Sequence, residues 1–246
     1  MKNCYARLLQ RRAEGKKSLA VLIDPDKTGH LSALLDEAEN HPPDFFFVGG
    51  SLLSVGSLDT CIQKIRERSE VPVVLFPGSV MQVNATADAL LLLSVISGRN
   101  ADLLIGRHVL AAPMLKESGL EIIPTGYLLV ESGEATTVSY MTNTQPIPRE
   151  KDAIAACTAL AGEQLGLKLI YLEAGSGAQS PVPVSMIEAV RNTLNIPLIA
   201  GGGLRAEAEL TERCRAGADL VVVGNILEKS PGLLPGFCAA VHALKL

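Results

Sequence analysis

Tryptophan is absent from this 246-residue chain, and the few phenylalanines and tyrosines are scattered rather than interleaved with lysine or arginine. With a formal net charge of −4, no basic surface for a nucleic-acid backbone is expected. Long apolar runs are also missing. The longest, ALLLLSVI at 89–96, is far short of the roughly 20 residues a bilayer-spanning helix needs, so no transmembrane segment is expected. The start, MKNCYARLLQRRAEGKKS, is polar and charged where a secretory signal needs an apolar stretch, which predicts a soluble, cytoplasmic protein. Cys4, Cys61, Cys157, Cys214 and Cys238 are odd in number, widely spaced and form no CxxC pair. They argue against a disulfide framework or a thiolate metal site and predict reduced, buried thiols. His30, His41, His108 and His242 show no HxH or HxxxH spacing, so zinc is not expected. Neither GxGxxG nor a P-loop string occurs, which removes support for dinucleotide and P-loop readings.

What the chain does contain is a regular alternation. Short, continuous apolar runs stand at 19–24, 45–50, 71–76, 90–95, 126–131, 169–174, 196–201 and 219–224. They lack polar alternation, the pattern of parallel strands covered on both faces. Segments of helical character lie between them at 31–40, 58–69, 151–166, 185–194, 206–217 and 233–246. Eight parallel strands alternating with helices predict an α/β fold, a (β/α)8 TIM barrel spanning 1–246 as one domain, with an open doubly wound sheet as the competitor. The stretch PGSVMQVNATAD, 77–88, is too short and polar for a full helix, so the helix after strand 3 is expected to be reduced to a loop. An opening for a long substrate is expected there. ESGEATTVSYMTNTQPIPRE, 131–150, reads as the longest loop. The N-terminal ARLLQRRAEGKK reads as a helix whose Arg7, Arg11, Arg12, Lys16 and Lys17 form a solvated face, with transient contact to an anionic membrane surface as the alternative.

Barrel sites are built at the C-terminal ends of strands. The last three runs end in EAGSGA, AGGG and VGN. Glycines in three successive loops favour a phosphate cup over mere tight turns, because they bare backbone N–H groups and let an anion approach closely. The cup would comprise Gly175, Ser176 and Gly177, then Gly202 and Gly203, then Gly224 and Asn225. Period-two geometry sets Tyr171 and Glu173 on one side of their strand, beside the cup. A carboxylate there is costly unless paired or used. Glu173 is therefore either a structural carboxylate satisfied by a neighbour or a base that takes a proton from a substrate hydroxyl. The first strand closes on Asp24 in IDPDK, which reads as an Asx-type turn or as a Mg2+ ligand, with Ser51 able to add an oxygen from the next loop.

The strings LIDPDK, FFFVGGS, VVLFPGS, SVISGRNADLLIG, YLEAGSGA, IAGGG and VVVGN, in this order along the whole chain, resemble geranylgeranylglyceryl phosphate synthase and its bacterial relatives. VSYMTNTQPIP looks like the second group of that family, the one with Bacteroidetes-type members. The resemblance implies a modified TIM barrel that joins sn-glycerol 1-phosphate to a polyprenyl diphosphate, geranylgeranyl diphosphate being the expected donor, with Mg2+ as cofactor. It implies metal positions at Asp24 and Ser51, and glycerol-phosphate positions at Tyr171, Leu172, Glu173, Ala174, Gly175, Ser176, Gly177, Gly202, Gly203, Gly224 and Asn225. Glu173 falls on the proposed base. It also implies a homo-oligomer, a dimer or higher. One departure stands out: the other family group has a phosphate-contacting lysine where this chain has Leu22, leaving Lys27 and Arg99 as replacement candidates. Leu52, Leu53, Phe76, Val95 and Ile96 are candidates for a prenyl groove. Two other classes remain open: a sugar-phosphate isomerase or aldolase, and a non-catalytic phospholigand-binding barrel.

Overall fold

The computed structural model describes residues 3–79, 82–133 and 136–246. Its strands are β1 (Ser18–Ile23), β2 (Phe45–Gly50), β3 (Val73–Pro77), β4 (Ala89–Val95), β5 (Glu121–Leu129), β6 (Leu169–Glu173), β7 (Leu198–Gly201) and β8 (Leu220–Val223). They close in sequence order into one barrel, all pairs parallel, with β8 returning to β1 where Ser18 faces Leu220. The helices are α1 (Cys4–Ala13), α2 (Leu31–Asn40), α3 (Leu58–Arg66), α4 (Arg107–Ser118), α5 (Thr137–Thr142), α6 (Asp152–Gln164), α7 (Val184–Arg191), α8 (Glu207–Arg215), α9 (Asn225–Lys229) and α10 (Leu234–His242). The closed barrel is the α/β fold expected from the alternation. Among the described residues no helix lies between β3 and β4, as the composition of 77–88 indicates. Val80 and Met81 of that stretch, and Glu134 and Ala135 of the long loop, lie outside the described residues.

Two packing layers follow from strand parity. Leu19, Val21 and Ile23, together with Phe46, Val48, Ile170 and Leu172, point outward and pack under the helices. Ala20, Phe45, Phe47, Leu169, Tyr171, Ile199, Leu220 and Val222 point inward and fill the barrel. A period of two makes this division binary, so every residue of the same parity on a strand shares one environment. It carries Leu22, Asp24, Glu173, Gly201 and Gly224 to the interior at the upper rim.

The floor of the barrel repeats a device that the apolar pattern did not reveal. Asp44, Asp88 and Asp219 each stand immediately before an even-numbered strand and are buried. Each accepts a hydrogen bond from an N–H at the start of the preceding strand, Leu19 (second in β1) at 2.9 Å, Val73 at 2.8 Å and Leu198 at 2.9 Å. Arginines neutralise them, Arg11 on Asp44 at 3.0 Å, Arg66 on Asp88 at 2.8 Å and Arg191 on Asp219 at 3.2 Å, with Arg12 a further 3.5 Å partner of Asp219. Arg11 and Arg12 are thus committed to the barrel floor and do not form the solvated face expected of α1. Removing one such carboxylate would strand a buried N–H, at a cost of about 1–3 kcal/mol.

Three further differences have local causes. β5 begins at Glu121, ahead of the expected 126, because Pro124 lacks an N–H yet still offers its carbonyl to Lys168 N at 2.8 Å. α4 went unread because Pro113 lies inside it and a π-type turn, Asp102–Gly106, leads into it. α5 sits inside the expected loop, its first turn closed by a reciprocal Thr136–Ser139 capping box. All five cysteines are free, and Cys157 is exposed where burial was expected.

Candidate active site

At the C-terminal rim a cavity of about 410 Å3 opens among the ends of β1, β2, β6, β7 and β8. Of the residues singled out from sequence, Asp24, Ser51, Tyr171, Glu173, Gly175, Ser176, Gly177, Gly202, Gly203, Gly224 and Asn225 all line it. Leu172 and Ala174 do not. Their parity sends them outward into the layer beneath the helices, and Ala174 N is already bonded to Gly201 O at 3.0 Å.

Glu173 is 5% exposed, and its Oε1 accepts a hydrogen bond from Gly175 N at 2.6 Å. Burial pushes its carboxyl up to about 7, while the Gly175 N–H and the adjacent Tyr171 hydroxyl pull it partly back. The Tyr171 hydroxyl is buried beside the carboxylate but has no partner in hydrogen-bonding alignment. Its ring is fixed by stacking on Phe76 at 5.4 Å and on Tyr127 at 5.5 Å between centroids. Each such aromatic pair contributes about 0.5–1.5 kcal/mol beyond its buried area, so the hydroxyl is held in place by its ring.

Around this carboxylate the backbone is stripped for a steric reason. A β-carbon on Gly202 would lie 2.3 Å from Glu173 Oε1 and 2.6 Å from Gly175 N, and its φ of +82° is itself a left-handed conformation that disfavours side chains. The β6 and β8 loops are joined by Asn225 Nδ2 donating to Ser176 Oγ at 3.1 Å. From the other side Arg205 holds the same loop, donating to Ala178 O at 2.6 Å and Gln179 O at 3.2 Å. Arg149 grips its end through Pro181 O at 3.0 Å. Thr136, ahead of α5, packs where a side chain on Gly175 would stand.

Across the cavity, Asp24 caps the 3-10 turn Pro25–His30. Its Oδ1 accepts from Asp26 N at 3.0 Å, and its Oδ2 is 3.3 Å from Lys27 Nζ. Lys27 Nζ also lies 3.6 Å from Glu228 Oε1 on α9. Desolvation lowers the Lys27 pKa, but Glu228 and Asp24 together outweigh it and leave the ammonium raised. Asp26 faces away from the cavity and fixes the β2–α3 loop, accepting from Ser54 Oγ at 2.7 Å, Ser54 N at 2.8 Å, Val55 N at 3.1 Å and Gly56 N at 2.6 Å. Those bonds, led by the Ser54 hydroxyl, hold its carboxyl down to about 2. Of the two candidates for the missing lysine, Lys27 lines the cavity together with Leu22. Arg99 instead turns back on Gly98 O at 2.7 Å.

Asp24 and Ser51 suit a hard cation. One carboxylate and one hydroxyl, with phosphate oxygens and water to complete the shell, is a Mg2+-type donor set, and Asp24 Oδ2 already holds a positive charge. Among the described residues no group of three or more His, Cys, Asp or Glu side chains forms a protein-only metal cage.

A second, apolar pocket of about 120 Å3 adjoins the first, and Gly50, Ser51, Phe76, Tyr127 and Val138 line both. It runs over the rim to Leu90 and Leu92 on the outer side of β4, against Ala111 and Leu115 of α4. Among the described residues no helix follows β3 to fill this space. Phe76 and Val95 line it and Leu52 lines the polar cavity, but Leu53 and Ile96 pack into the outer core instead. Val138, Met141 and Thr142 of α5 close it from above. These α5 residues, with Arg205, Glu228 and Lys229 in the polar cavity, were missed from sequence. They belong to short elements after the strands, with no periodicity to mark them.

A family model described as the PcrB family matches residues 12–240. The chain belongs to the PcrB family. Two relatives, both called geranylgeranylglyceryl phosphate synthase, come from Spirosoma linguale, 53% identical over 94% of each chain, and Chitinophaga pinensis, 51% identical over 97% of this chain and 96% of that one. The crystal structure of (S)-3-O-geranylgeranylglyceryl phosphate synthase from Thermoplasma acidophilum in complex with its substrate sn-glycerol-1-phosphate superposes with a TM-score of 0.92. It is 30% identical and covers 99% of this chain and 100% of its own. The resemblance read from LIDPDK, YLEAGSGA and IAGGG thus corresponds to PcrB-family membership along nearly the whole chain.

Proposed function

We propose that this PcrB-family chain is a geranylgeranylglyceryl phosphate synthase, transferring a prenyl group, geranylgeranyl by the names of its relatives, from its diphosphate to sn-glycerol 1-phosphate. The observation that carries this reading is the junction of the two pockets. A polar cavity with one buried carboxylate and bare backbone opens directly onto an apolar groove. A small sugar phosphate has no use for that groove, and the buried Glu173 carboxylate beside the bare loops gives the site a base that phosphate binding alone does not need. The relatives from Spirosoma and Chitinophaga support the same reading.

In this mechanism the loops of β6, β7 and β8 take the glycerol phosphate through backbone N–H groups and Ser176. Glu173, aimed by the Gly175 N–H, accepts the proton of the 3-hydroxyl. The bond from that oxygen to C1 of the prenyl chain forms as the C1–oxygen bond to diphosphate breaks, and the electron pair leaves with the diphosphate. Mg2+, held by Asp24 and the Ser51 hydroxyl, would supply neutralisation of the leaving charge. Phe76 and Tyr127 line the junction through which the chain enters the groove. The buried setting favours the alkylation over loss of the allylic group to water. An oligomeric assembly belongs to the same proposal, supported by the exposed Val109 and Leu110 on α4.

The test is an assay of purified protein with Mg2+, radiolabelled glycerol 1-phosphate and a ladder of prenyl diphosphates, with glycerol 3-phosphate in parallel. A lipid-soluble ether product from the 1-phosphate is expected. No product with any donor, while glycerol phosphate still binds, would rule out the transferase reading.

A further inference from the structure

Among the described residues, Lys27 is the cation in contact with the carboxylate assigned to the metal, and its position is unusual. It extends from the first turn after β1, half exposed, and its Nζ stands between Asp24 Oδ2 at 3.3 Å and Glu228 Oε1 at 3.6 Å. The two carboxylates come from opposite ends of the chain and meet only because β8 closes against β1. Asp24 lines the cavity, its Oδ1 accepts from the Asp26 N–H at 3.0 Å, and its Oδ2 is the oxygen that Lys27 covers.

On the reading of Asp24 as a metal ligand, we infer that Lys27 is a built-in competitor for that ligand. It holds Asp24 Oδ2 while the site is empty of substrate and retires to Glu228 when a divalent cation arrives. An ammonium and a Mg2+ ion compete for one carboxylate oxygen, because two cations on it would repel. Glu228 gives the displaced ammonium a second partner within reach, so the exchange needs only a side-chain rotation. The lysine backbone sits in a break of the 3-10 turn, at φ −128° and ψ 48°, which leaves its side chain outside any regular helical row. The consequence is ordered loading. The free cation binds weakly, and a cation that comes with diphosphate binds well, since the diphosphate brings the negative charge that Lys27 offsets. Lys27 and Glu228 are then positioning residues that act through Asp24.

The experiment is a titration with Mn2+ as the probe, read by its EPR signal, without substrates and at low ionic strength. It uses the wild type, Asp24→Asn, Lys27→Met, Glu228→Gln and the Lys27→Met/Glu228→Gln pair. Lys27→Met should bind the ion about two- to fivefold more tightly than wild type, the size expected for removing one partly exposed ion-pair partner. Glu228→Gln should weaken binding, by confining the ammonium to Asp24, and should do nothing in the Lys27→Met background. Unchanged or weaker binding in Lys27→Met overturns the proposal, as does an equal Glu228→Gln effect in both backgrounds, which would place Glu228 on the ion itself. Asp24→Asn separates the two levels. If it leaves Mn2+ binding intact, the metal assignment falls. If it abolishes binding while Lys27→Met changes nothing, only the competitor role falls.

Discussion

Gly175 N–H donates to Glu173 Oε1 across 2.6 Å, so the loop that leaves β6 grips the carboxylate of the strand it has just ended. The bond orients one oxygen inward and leaves Oε2 beside the Tyr171 hydroxyl, both next to Gly201. Glu173 must be charged to accept a proton, and burial has lifted its pKa to about 7. The pH profile of kcat/KM should therefore fall on the acid side with an apparent pKa near 7. Tyr171→Phe should move that limb to higher pH, because the hydroxyl favours the charged form. Glu173→Gln should lower kcat by about 10²- to 10⁴-fold, the range for a general base, with glycerol-phosphate binding retained in calorimetry.

The same carboxylate predicts a stability trend. Its folded pKa, about 7, lies above the ordinary 4.5, so its contribution is fully present below pH 4.5 and is lost as pH rises through 7. Thermal or urea unfolding should show Glu173→Gln gaining on wild type over that window, by roughly 3 kcal/mol at its end. Parallel curves for the two proteins from pH 4 to 8 would contradict the buried charge.

Gly202→Ala should abolish glycerol-phosphate binding and cost about 1–3 kcal/mol of stability, from the left-handed φ and the contact with Glu173 together. Calorimetry with glycerol 1-phosphate and a urea melt would measure the two separately.

Arg205 acts on the cup through the carbonyls of Ala178 and Gln179. Arg205→Met should loosen the β6 loop and raise KM for glycerol phosphate, by about tenfold for the loss of two charge-assisted bonds, with a smaller change in kcat. An unchanged KM would show that Ser176, Asn225 and Arg149 suffice to hold the loop.

Ala111 of α4 is almost fully buried against the apolar pocket. Ala111→Phe should fill that pocket of about 120 Å3 and raise KM for the prenyl donor while leaving glycerol-phosphate binding alone. Steady-state kinetics with each substrate varied in turn would decide it.

Much of this was open to reading in one dimension. The alternation of apolar runs fixes an eight-stranded parallel barrel, since strands covered on both faces need no polar alternation and parallel neighbours need crossovers. Parity then puts Tyr171 and Glu173 on one side, and the glycines that follow the last three strands mark the loops bare enough for an anion. Leu172 and Ala174 show the limit of motif matching, because a contiguous string includes residues of both parities and only one parity faces the cavity.

What the chain alone determined, then, is the set of strands, the rim on which chemistry collects and the absent helix after β3, all local consequences of hydrophobic pattern and backbone freedom. The tertiary structure decided which distant side chains meet. Closing β8 on β1 brings Glu228 to Lys27, and the sequence separation of the two carries no trace of that contact. Burial at the barrel rim raises the Glu173 pKa, because desolvation depends on every neighbour in space and on none in order. The arginines of α1 found Asp44 and Asp219 for the same reason: a charge that looks solvated along a helix becomes a counter-ion once the barrel floor is laid beneath it.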